Sequence, residues 1–281
     1  MKAIIKISTK LSPSGELELL SNNLLKLKVC GKELFSYYFD FFNELEVDEI
    51  FVLGKDLNSF VDEFYLSKVF SPKVNFIENE SSLDYEYLNS HDLLCIYNIG
   101  FIYTSFETIK EKIVTLNHSF VLKENTFELS YHKSGESKVN DIDFIKIKAI
   151  SSLDNYLEVL NYILNRINSV DYTYGYSNDN NIIIGKNVKI AATSKLIEPV
   201  VIQDNVKILD NCVIGPNVII SNNVIIENNT NISSSIIYDN TYIGTNLDLQ
   251  NKIIVSNKII DKKTFLVYKI DEKLISKNIL L

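Results

Sequence analysis

Side chains suited to acid–base, nucleophilic or metal chemistry are few in this sequence and are spread along it. Three histidines are present, all before residue 133: His91, His118 and His132. Three cysteines lie far apart, each among apolar neighbours: Cys30, Cys95 and Cys212. Because no pair has a metal-ligand spacing, we predict buried free thiols in a reducing compartment and no disulfide framework or metal site.

Anion binding would depend mainly on lysine, since Arg166 is the only arginine available for bidentate contacts with phosphate. Lys10, Lys26 and Lys28 are the candidates, and the acidic run at residues 78–80 is a candidate cation site. We interpret the lysines and the acidic run as solvated surface, because charged side chains are mostly exposed.

A six-residue repeat dominates the C-terminal part of the chain. Ile or Leu occupies every sixth position over nine positions: Ile184, Ile190, Leu196, Ile202, Ile208, Ile214, Ile220, Ile226 and Ile232. Asparagine, which tolerates left-handed backbone, recurs between them: Asn187, Asn205, Asn211, Asn217, Asn223 and Asn229. This pattern predicts a left-handed parallel β-helix of hexapeptide repeats over residues 182–260, followed by a C-terminal cap over 261–281.

The N-terminal part alternates between short apolar runs and helical periodicity. We predict strands at residues 2–8, 49–53, 73–77, 93–97 and 142–150. We predict helices at residues 33–45, 56–66, 107–113 and 153–167. This order favours an α/β domain with a doubly wound, mainly parallel sheet over residues 1–170, joined to the β-helix by a linker at 171–181.

Four runs, in order, resemble the sugar-1-phosphate nucleotidyltransferases, in particular the GDP-mannose pyrophosphorylase type with a C-terminal β-helix. The chain opens with M-K-A-I-I, and residues 27–34 (L-K-V-C-G-K-E-L) resemble the family's L-P-V-A-G-K-P-L. Residues 47–54 (V-D-E-I-F-V-L-G) and 152–157 (S-L-D-N-Y-L) resemble I-D-E-I-V-V-V-x-G and T-P-E-D-Y-L. The resemblance implies a nucleotidyltransferase-like fold and transfer of a nucleotide onto a sugar phosphate, with Mg²⁺ held by two aspartates.

The residues that carry this chemistry in the family are replaced in this chain. Its G-G-x-G-T-R-L loop falls on residues 8–13 (S-T-K-L-S-P), which contain no glycine, and its arginine falls on Pro13. Its lysine falls on Leu24, and its two metal-binding aspartates fall on Asn98 and Ala149. We therefore predict no catalytic and no metal-binding residue.

Three positions are left as vestiges of the pocket. They are Ser8, Lys10 and Asn98. No cofactor is expected, and Mg²⁺ would be needed only if the chain were an active nucleotidyltransferase. Such a pocket still admits a nucleotide or sugar nucleotide as its ligand class.

The leading hypothesis is a non-catalytic regulatory or scaffolding subunit in sugar-nucleotide or polysaccharide metabolism. It would form a homo-oligomer, or a hetero-oligomer with an active paralogue, through the β-helix. An active sugar-1-phosphate nucleotidyltransferase with a rewired site is the first alternative. A hexapeptide-repeat acyltransferase is the second, although the repeat lacks the histidine that such enzymes use as general base.

Charge and hydropathy exclude several other classes of protein. The formal net charge is −8, and no stretch is basic enough for a nucleic-acid-binding surface. No apolar run approaches the roughly 20 residues that a membrane span requires. The N-terminus lacks the features of a signal peptide, so we predict a cytoplasmic protein that binds neither nucleic acid nor membrane.

Overall fold

The computed structural model describes residues 1–7, 16–21, 24–54, 72–136, 138–142, 145–166, 176–178 and 181–270. The chain divides into two compact units. The first unit comprises Met1–Leu27 and Glu33–Val159, and the second comprises Lys28–Lys32 and Leu160–Leu281. No helix in the described part of the chain is long and apolar enough to cross a membrane.

The first unit contains most of strands β1 to β11, three whole α-helices and the first part of a fourth. The strands, in chain order, are Lys2–Lys6, Lys28–Val29, Lys32–Glu33, Glu49–Leu53, Lys73–Ile77, Leu93–Tyr97, Gly100–Ile102, Ser119–Glu124, Phe127–His132, Val139–Asp141 and Ile147–Ala149. Helices α1 to α4 are Leu34–Glu44, Tyr85–Asn89, Phe106–Leu116 and Leu153–Leu164. Short 3₁₀ turns lie at Leu17–Leu19, Leu24–Lys26 and Glu80–Ser82.

A seven-stranded sheet forms the centre of this unit, in the order β10-β8-β9-β6-β1-β4-β5. Strand β1 is a β-branched run whose middle residues are buried, and it pairs in parallel with both β4 and β6. The pairs β4–β5 and β8–β10 are also parallel. Strand β9 runs antiparallel to β6 and β8, so the unit is a mixed α/β structure with a largely parallel sheet.

Most of the predicted elements of this unit are present. The strands predicted at 49–53, 73–77 and 93–97 coincide with β4, β5 and β6. Of the strand predicted at 142–150, the described part that pairs with a neighbouring strand is Ile147–Ala149. The helix predicted at 33–45 corresponds to α1, which buries the aromatic side chains of Tyr38, Phe41 and Phe42 in the core. The helix predicted at 56–66 lies outside the described residues.

The second unit is built almost entirely from short strands. Strands β12 to β27 are Tyr176–Asn178, Ile182–Ile184, Lys189–Ile190, Lys195–Leu196, Val200–Ile202, Lys207–Ile208, Val213–Ile214, Val218–Ile220, Ile225–Ile226, Asn231–Ser233, Ile236–Ile237, Tyr242–Ile243, Asp248–Gln250, Lys252–Val255, Lys258–Asp261 and Val267–Lys269. They form three sheets, ordered β12-β13-β16-β19-β22-β25-β26-β27, β14-β17-β20-β23 and β15-β18-β21-β24.

From β13 to β22, each strand pairs in parallel with the strand three places later in the chain. Val200 pairs with Val218, Lys207 with Ile225, and Val213 with Asn231. Three sheets related in this way form the three sides of a coil, an arrangement compatible with a parallel β-helix. The Ile and Leu side chains of the repeat point inward, and those from Ile202 to Ile232 are fully buried in one continuous core.

Asparagines occupy the corners of the coil in left-handed backbone conformation. Asn187, Asn205 and Asn223 have φ of 54°, 58° and 58°, values that asparagine adopts at lower cost than most residues. Their side chains form a ladder, in which the Asn187 amide donates to Asn205 Oδ1 at 2.9 Å across 18 residues of sequence. The step shortens to 17 residues from Asn223 to Asn240, because the repeat advances by five residues and not six from Ile232 to Ile237.

Two predicted connecting segments contain strands. Within the predicted linker at 171–181, β12 pairs antiparallel with β13. Within the predicted cap at 261–281, β27 pairs antiparallel with β26, and residues 261–270 contain no helix. Both strands extend the same sheet at its two ends, so hydrogen bonding continues beyond the six-residue pattern that identifies the coil.

Candidate functional site

The carboxyl ends of β1, β4, β5 and β6 meet at one edge of the central sheet, where ligands of parallel α/β sheets usually bind. Of the three vestigial positions predicted from sequence, Asn98 lies at this edge, immediately after β6. Ser8 and Lys10 lie outside the described residues, as does Pro13. Asn98 is therefore the one vestigial position whose surroundings the described residues show.

Asn98 is held by hydrogen bonds to two neighbouring segments. Its backbone N–H donates to the Lys6 carbonyl at 2.8 Å, and its φ is 63°, a left-handed value that asparagine tolerates. Its side-chain amide donates to the carbonyl oxygen of Thr126, in the turn between β8 and β9. A neutral amide engaged in this way lacks the charge with which a carboxylate holds Mg²⁺.

Ala149 lies in a segment that packs beside the one carrying Asn98. Strand β11 pairs antiparallel with β7, which places Ala149 opposite Gly100, and the Ile150 N–H donates to the Ile99 carbonyl at 3.0 Å. The two positions that the resemblance assigns to metal-binding aspartates thus lie on adjacent segments. Ala149 is fully buried and contributes no polar side-chain atom.

Glu124 is a carboxylate of this region that the sequence analysis did not identify. It ends β8, and its carboxylate accepts a hydrogen bond from the Ala149 N–H. Lys148 lies 3.8 Å from Glu124 and 2.5 Å from Glu158, so the negative charge of Glu124 is partly compensated. The signal available in the sequence is Asn125, a residue type that tolerates left-handed backbone, followed by the alternating run Phe127–His132.

The acidic run at residues 78–80 contributes Glu80 to an ion pair at this edge. Lys6 Nζ lies 2.7 and 2.6 Å from the two Glu80 carboxylate oxygens, and the Tyr85 hydroxyl donates to the same carboxylate at 3.0 Å. The hydrogen bond from Lys6, and then that from Tyr85, lower the pKa of Glu80 below its usual value. Glu80 is therefore ionised and engaged by Lys6 and Tyr85.

Tyr97 lies at the end of β6, directly before Asn98. Burial, reinforced by the negative charges of neighbouring groups that include Glu128 and Glu80, raises the pKa of Tyr97 to about 12. The phenol is therefore protonated at neutral pH. It can donate a hydrogen bond at this edge but cannot act there as a general base.

A polar network centred on Glu49 lies at the amino ends of β1, β4 and β5, opposite the carboxyl ends described above. Its carboxylate accepts hydrogen bonds from Lys73 at 2.9 Å, Asn75 at 2.8 Å and Tyr87 at 3.0 Å, and Lys2 lies 3.3 Å away. Burial alone would raise the pKa of Glu49, but these partners lower it to about 2. The network ties together three neighbouring strands and α2, which is a structural role.

Among the described residues, the cysteines are buried and the histidines belong to no metal-binding group. All three cysteines are buried thiols outside any disulfide, as the sequence predicts. Burial raises the pKa of Cys95 to about 12, so its thiol is protonated and unreactive at neutral pH. Among the described residues, no group of three or more histidine, cysteine, aspartate or glutamate side chains can hold a metal ion.

The run at residues 28–32 forms a two-residue hairpin in the second unit. Cys30 and Gly31 have φ of 46° and 91°, and two consecutive positive values are the geometry of a type I′ turn. The interpretation of Lys28 as a solvated surface lysine is wrong, because its side chain is 17 % exposed and forms an ion pair with Asp239. This contact spans most of the sequence, so the local pattern could not indicate it.

Comparison with known families supports part of the sequence resemblance. Residues 196–270, which span β15 to β27, match the family described as the GMPPB C-terminal domain. No curated protein matches the chain. The match suggests a GDP-mannose pyrophosphorylase-like relationship, and it points to a nucleotidyltransferase-like protein of sugar-nucleotide metabolism.

Proposed function

We propose that this chain is a non-catalytic, nucleotidyltransferase-like protein that acts as a regulatory or scaffolding subunit in sugar-nucleotide or polysaccharide metabolism. The three-sided coil is inferred to be a left-handed hexapeptide β-helix. Through this β-helix the chain assembles with itself or with an active paralogue. It needs no cofactor for this role, and a nucleotide or sugar nucleotide is its expected ligand class.

One observation carries the proposal: Asn98 and Ala149, the two positions that correspond to the family's metal-binding aspartates, lie on adjacent segments and offer no carboxylate. The Asn98 amide donates to the Thr126 carbonyl, and Ala149 is fully buried. A site that transfers a nucleotide must neutralise the phosphates, usually with Mg²⁺ held by carboxylates. Loss of one electrostatic group typically costs about 10²–10³ in rate, so loss of both aspartates leaves little activity.

A rewired active site is the second candidate, and Glu124 is the observation that favours it. Its carboxylate lies against the backbone of Ala149 and can stand in for one of the missing aspartates. Under this hypothesis Glu124 holds Mg²⁺, and Lys148 moves away when the metal binds. Glu158 provides a matched control, because it also pairs with Lys148 but no hydrogen bond joins it to Ala149.

Calorimetry with nucleoside triphosphates and sugar nucleotides, with and without Mg²⁺, separates the two candidates. The non-catalytic proposal predicts no Mg²⁺-dependent triphosphate binding and no change on Glu124→Gln. Tight binding that requires Mg²⁺, and that Glu124→Gln removes while Glu158→Gln preserves, would establish the rewired site instead. Binding of a sugar nucleotide without Mg²⁺ would assign a sensing role within the non-catalytic proposal.

Assembly is tested separately from ligand binding. Sedimentation of the purified chain, and capture of partners from the native cell, are expected to return an oligomer or a nucleotidyltransferase paralogue. A strictly monomeric chain that captures no such paralogue would overturn the scaffolding role. The oligomeric order, dimer or trimer, would follow from the same sedimentation data.

A further inference from the structure

The hairpin at the end of the described chain presents an open edge, meaning a strand edge to which no other described strand is paired. Strand β27 is the last strand of the eight-stranded sheet and pairs with β26 alone among the described residues. The turn between them is held by Asp261, whose Oδ1 accepts from the backbone N–H groups of Lys263 at 3.0 Å and Thr264 at 2.9 Å. Lys252 lies 2.5 Å from the same carboxylate, so the hairpin is fixed to β25.

The backbone of β27 leaves two residues available for a further strand. Asp261 N–H donates to the Leu266 carbonyl at 3.0 Å, and Ile270 N–H donates to the Asn257 carbonyl at 2.8 Å. Because hydrogen-bonding direction alternates along an antiparallel strand, the backbone groups of Val267 and Lys269 point away from β26. These two residues therefore carry the donors and acceptors of the open edge.

One face of β27 carries the apolar side chains of Leu266 and Tyr268, and the other carries Val267 and Lys269. Leu266 and Tyr268 are 55 % and 54 % exposed, which is high for large apolar side chains. On the opposite face Lys269 pairs across the hairpin with Lys258, and like charges directly opposite each other destabilise a strand pair. Within the described residues neither lysine forms an ion pair.

We propose that the open edge of β27 docks an extended segment of a partner protein with alternating acidic and apolar residues. The partner strand hydrogen-bonds to Val267 and Lys269, places its acidic side chains beside Lys269, and packs its apolar side chains against Tyr268. Strand addition of this kind derives affinity from backbone hydrogen bonds and specificity from alternate side chains. The acidic row relieves the repulsion between Lys258 and Lys269.

A second copy of this chain fits the edge less well than an acidic partner. Pairing of β27 with another β27 would bring two further lysines to a face that already carries a like-charged pair. Lysine on an edge strand commonly prevents self-pairing for this reason. The positive charge of this edge therefore favours an acidic partner strand over a second copy of β27.

The test uses the full chain and two labelled peptides, one of alternating valine and glutamate and one of alternating valine and lysine. Fluorescence anisotropy is expected to show binding of the glutamate peptide, weakened by salt, and not of the lysine peptide. Lys269→Glu should weaken glutamate-peptide binding about tenfold and should gain binding of the lysine peptide. Lys263→Glu, a charge reversal in the exposed turn, is the matched control and should change neither affinity.

Val267→Pro removes a donor of the open edge and should abolish peptide binding. Circular dichroism confirms the fold of each variant, and the Lys269→Glu exchange tests the proposal even if the proline variant is unstable. Equal affinity for both peptides, absence of binding, or equal effects of Lys269→Glu and Lys263→Glu would overturn it. Self-association that Val267→Pro abolishes would assign the edge to a second copy, and would overturn it as well.

The inference deepens the proposed scaffolding role and rests on it for its biological setting. Nucleotide calorimetry leaves β27 untouched, and peptide binding leaves the sheet edge at Asn98 untouched. Failure of one experiment is therefore distinguishable from failure of the other.

Discussion

Replacement of Glu49 by glutamine should lower the free energy of unfolding of the first unit and make that free energy less dependent on pH. The carboxylate is held by Lys2, Lys73, Asn75 and Tyr87, and these partners lower its pKa from 4.5 to about 2. A shift of this size corresponds to at most about 3.4 kcal/mol in favour of the folded state. Because the Lys73 side chain is 72 % exposed and therefore screened, we expect about 2 kcal/mol.

The pH dependence follows from the direction of the shift. A carboxyl group with a lowered pKa contributes its full stability above pH 4.5, and this contribution is lost as the pH falls toward 2. Urea unfolding followed by circular dichroism should therefore show a clear deficit for Glu49→Gln at pH 7. The deficit should shrink progressively between about pH 4.5 and the acid limit of the folded state.

A matched control comes from Glu46→Gln. Glu46 also pairs with a lysine, Lys110 at 2.6 Å, but its side chain is 80 % exposed. Exposed ion pairs contribute little to stability, so this variant should unfold like the parent protein at pH 7 and in acid. Equal effects of the two substitutions, or a Glu49→Gln deficit that does not depend on pH, would refute the assignment of Glu49 as the centre of the network.

Three further predictions concern the second unit and the thiols. Gly215 has φ of 116°, and a Cβ there would overlap the Ile197 carbonyl oxygen, so Gly215→Ala should lower the melting temperature sharply while Gly244→Ala should not. Ile226 points into the core and is fully buried, so Ile226→Ala should cost about 2–5 kcal/mol in urea unfolding. Ile225→Ala, one residue earlier and half-buried, should cost less. All three cysteines are buried, so a thiol reagent should label the protein only after denaturation; rapid labelling of the native protein would contradict this burial.

The repeat was the most predictable part of the fold. A six-residue period with Ile or Leu at one position leaves few alternatives, and the same positions form the buried core of the second unit. The asparagines between them adopt positive φ because the backbone turns at each corner. Local periodicity was sufficient here because each strand contacts neighbours at a fixed sequence distance.

The candidate site was less predictable, because it depends on contacts distant in sequence. Glu124 reaches Ala149 through a hairpin that is hard to predict, because β8 does not alternate strictly between polar and apolar residues and the turn at Asn125–Thr126 lacks glycine. The ion pair between Lys6 and Glu80 likewise joins the end of β1 to a 3₁₀ turn that is distant in sequence. Asn98 was identified only through the resemblance, since no local pattern distinguishes it from other asparagines.

We propose that this chain does not transfer nucleotides, and a pyrophosphate-release assay tests this proposal most directly. Purified chain is incubated with each nucleoside triphosphate, a panel of sugar 1-phosphates and Mg²⁺, and an active nucleotidyltransferase is run in parallel. The account predicts no release above the level without protein. Mg²⁺-dependent release that continues over many turnovers, and that Glu124→Gln abolishes, would contradict it.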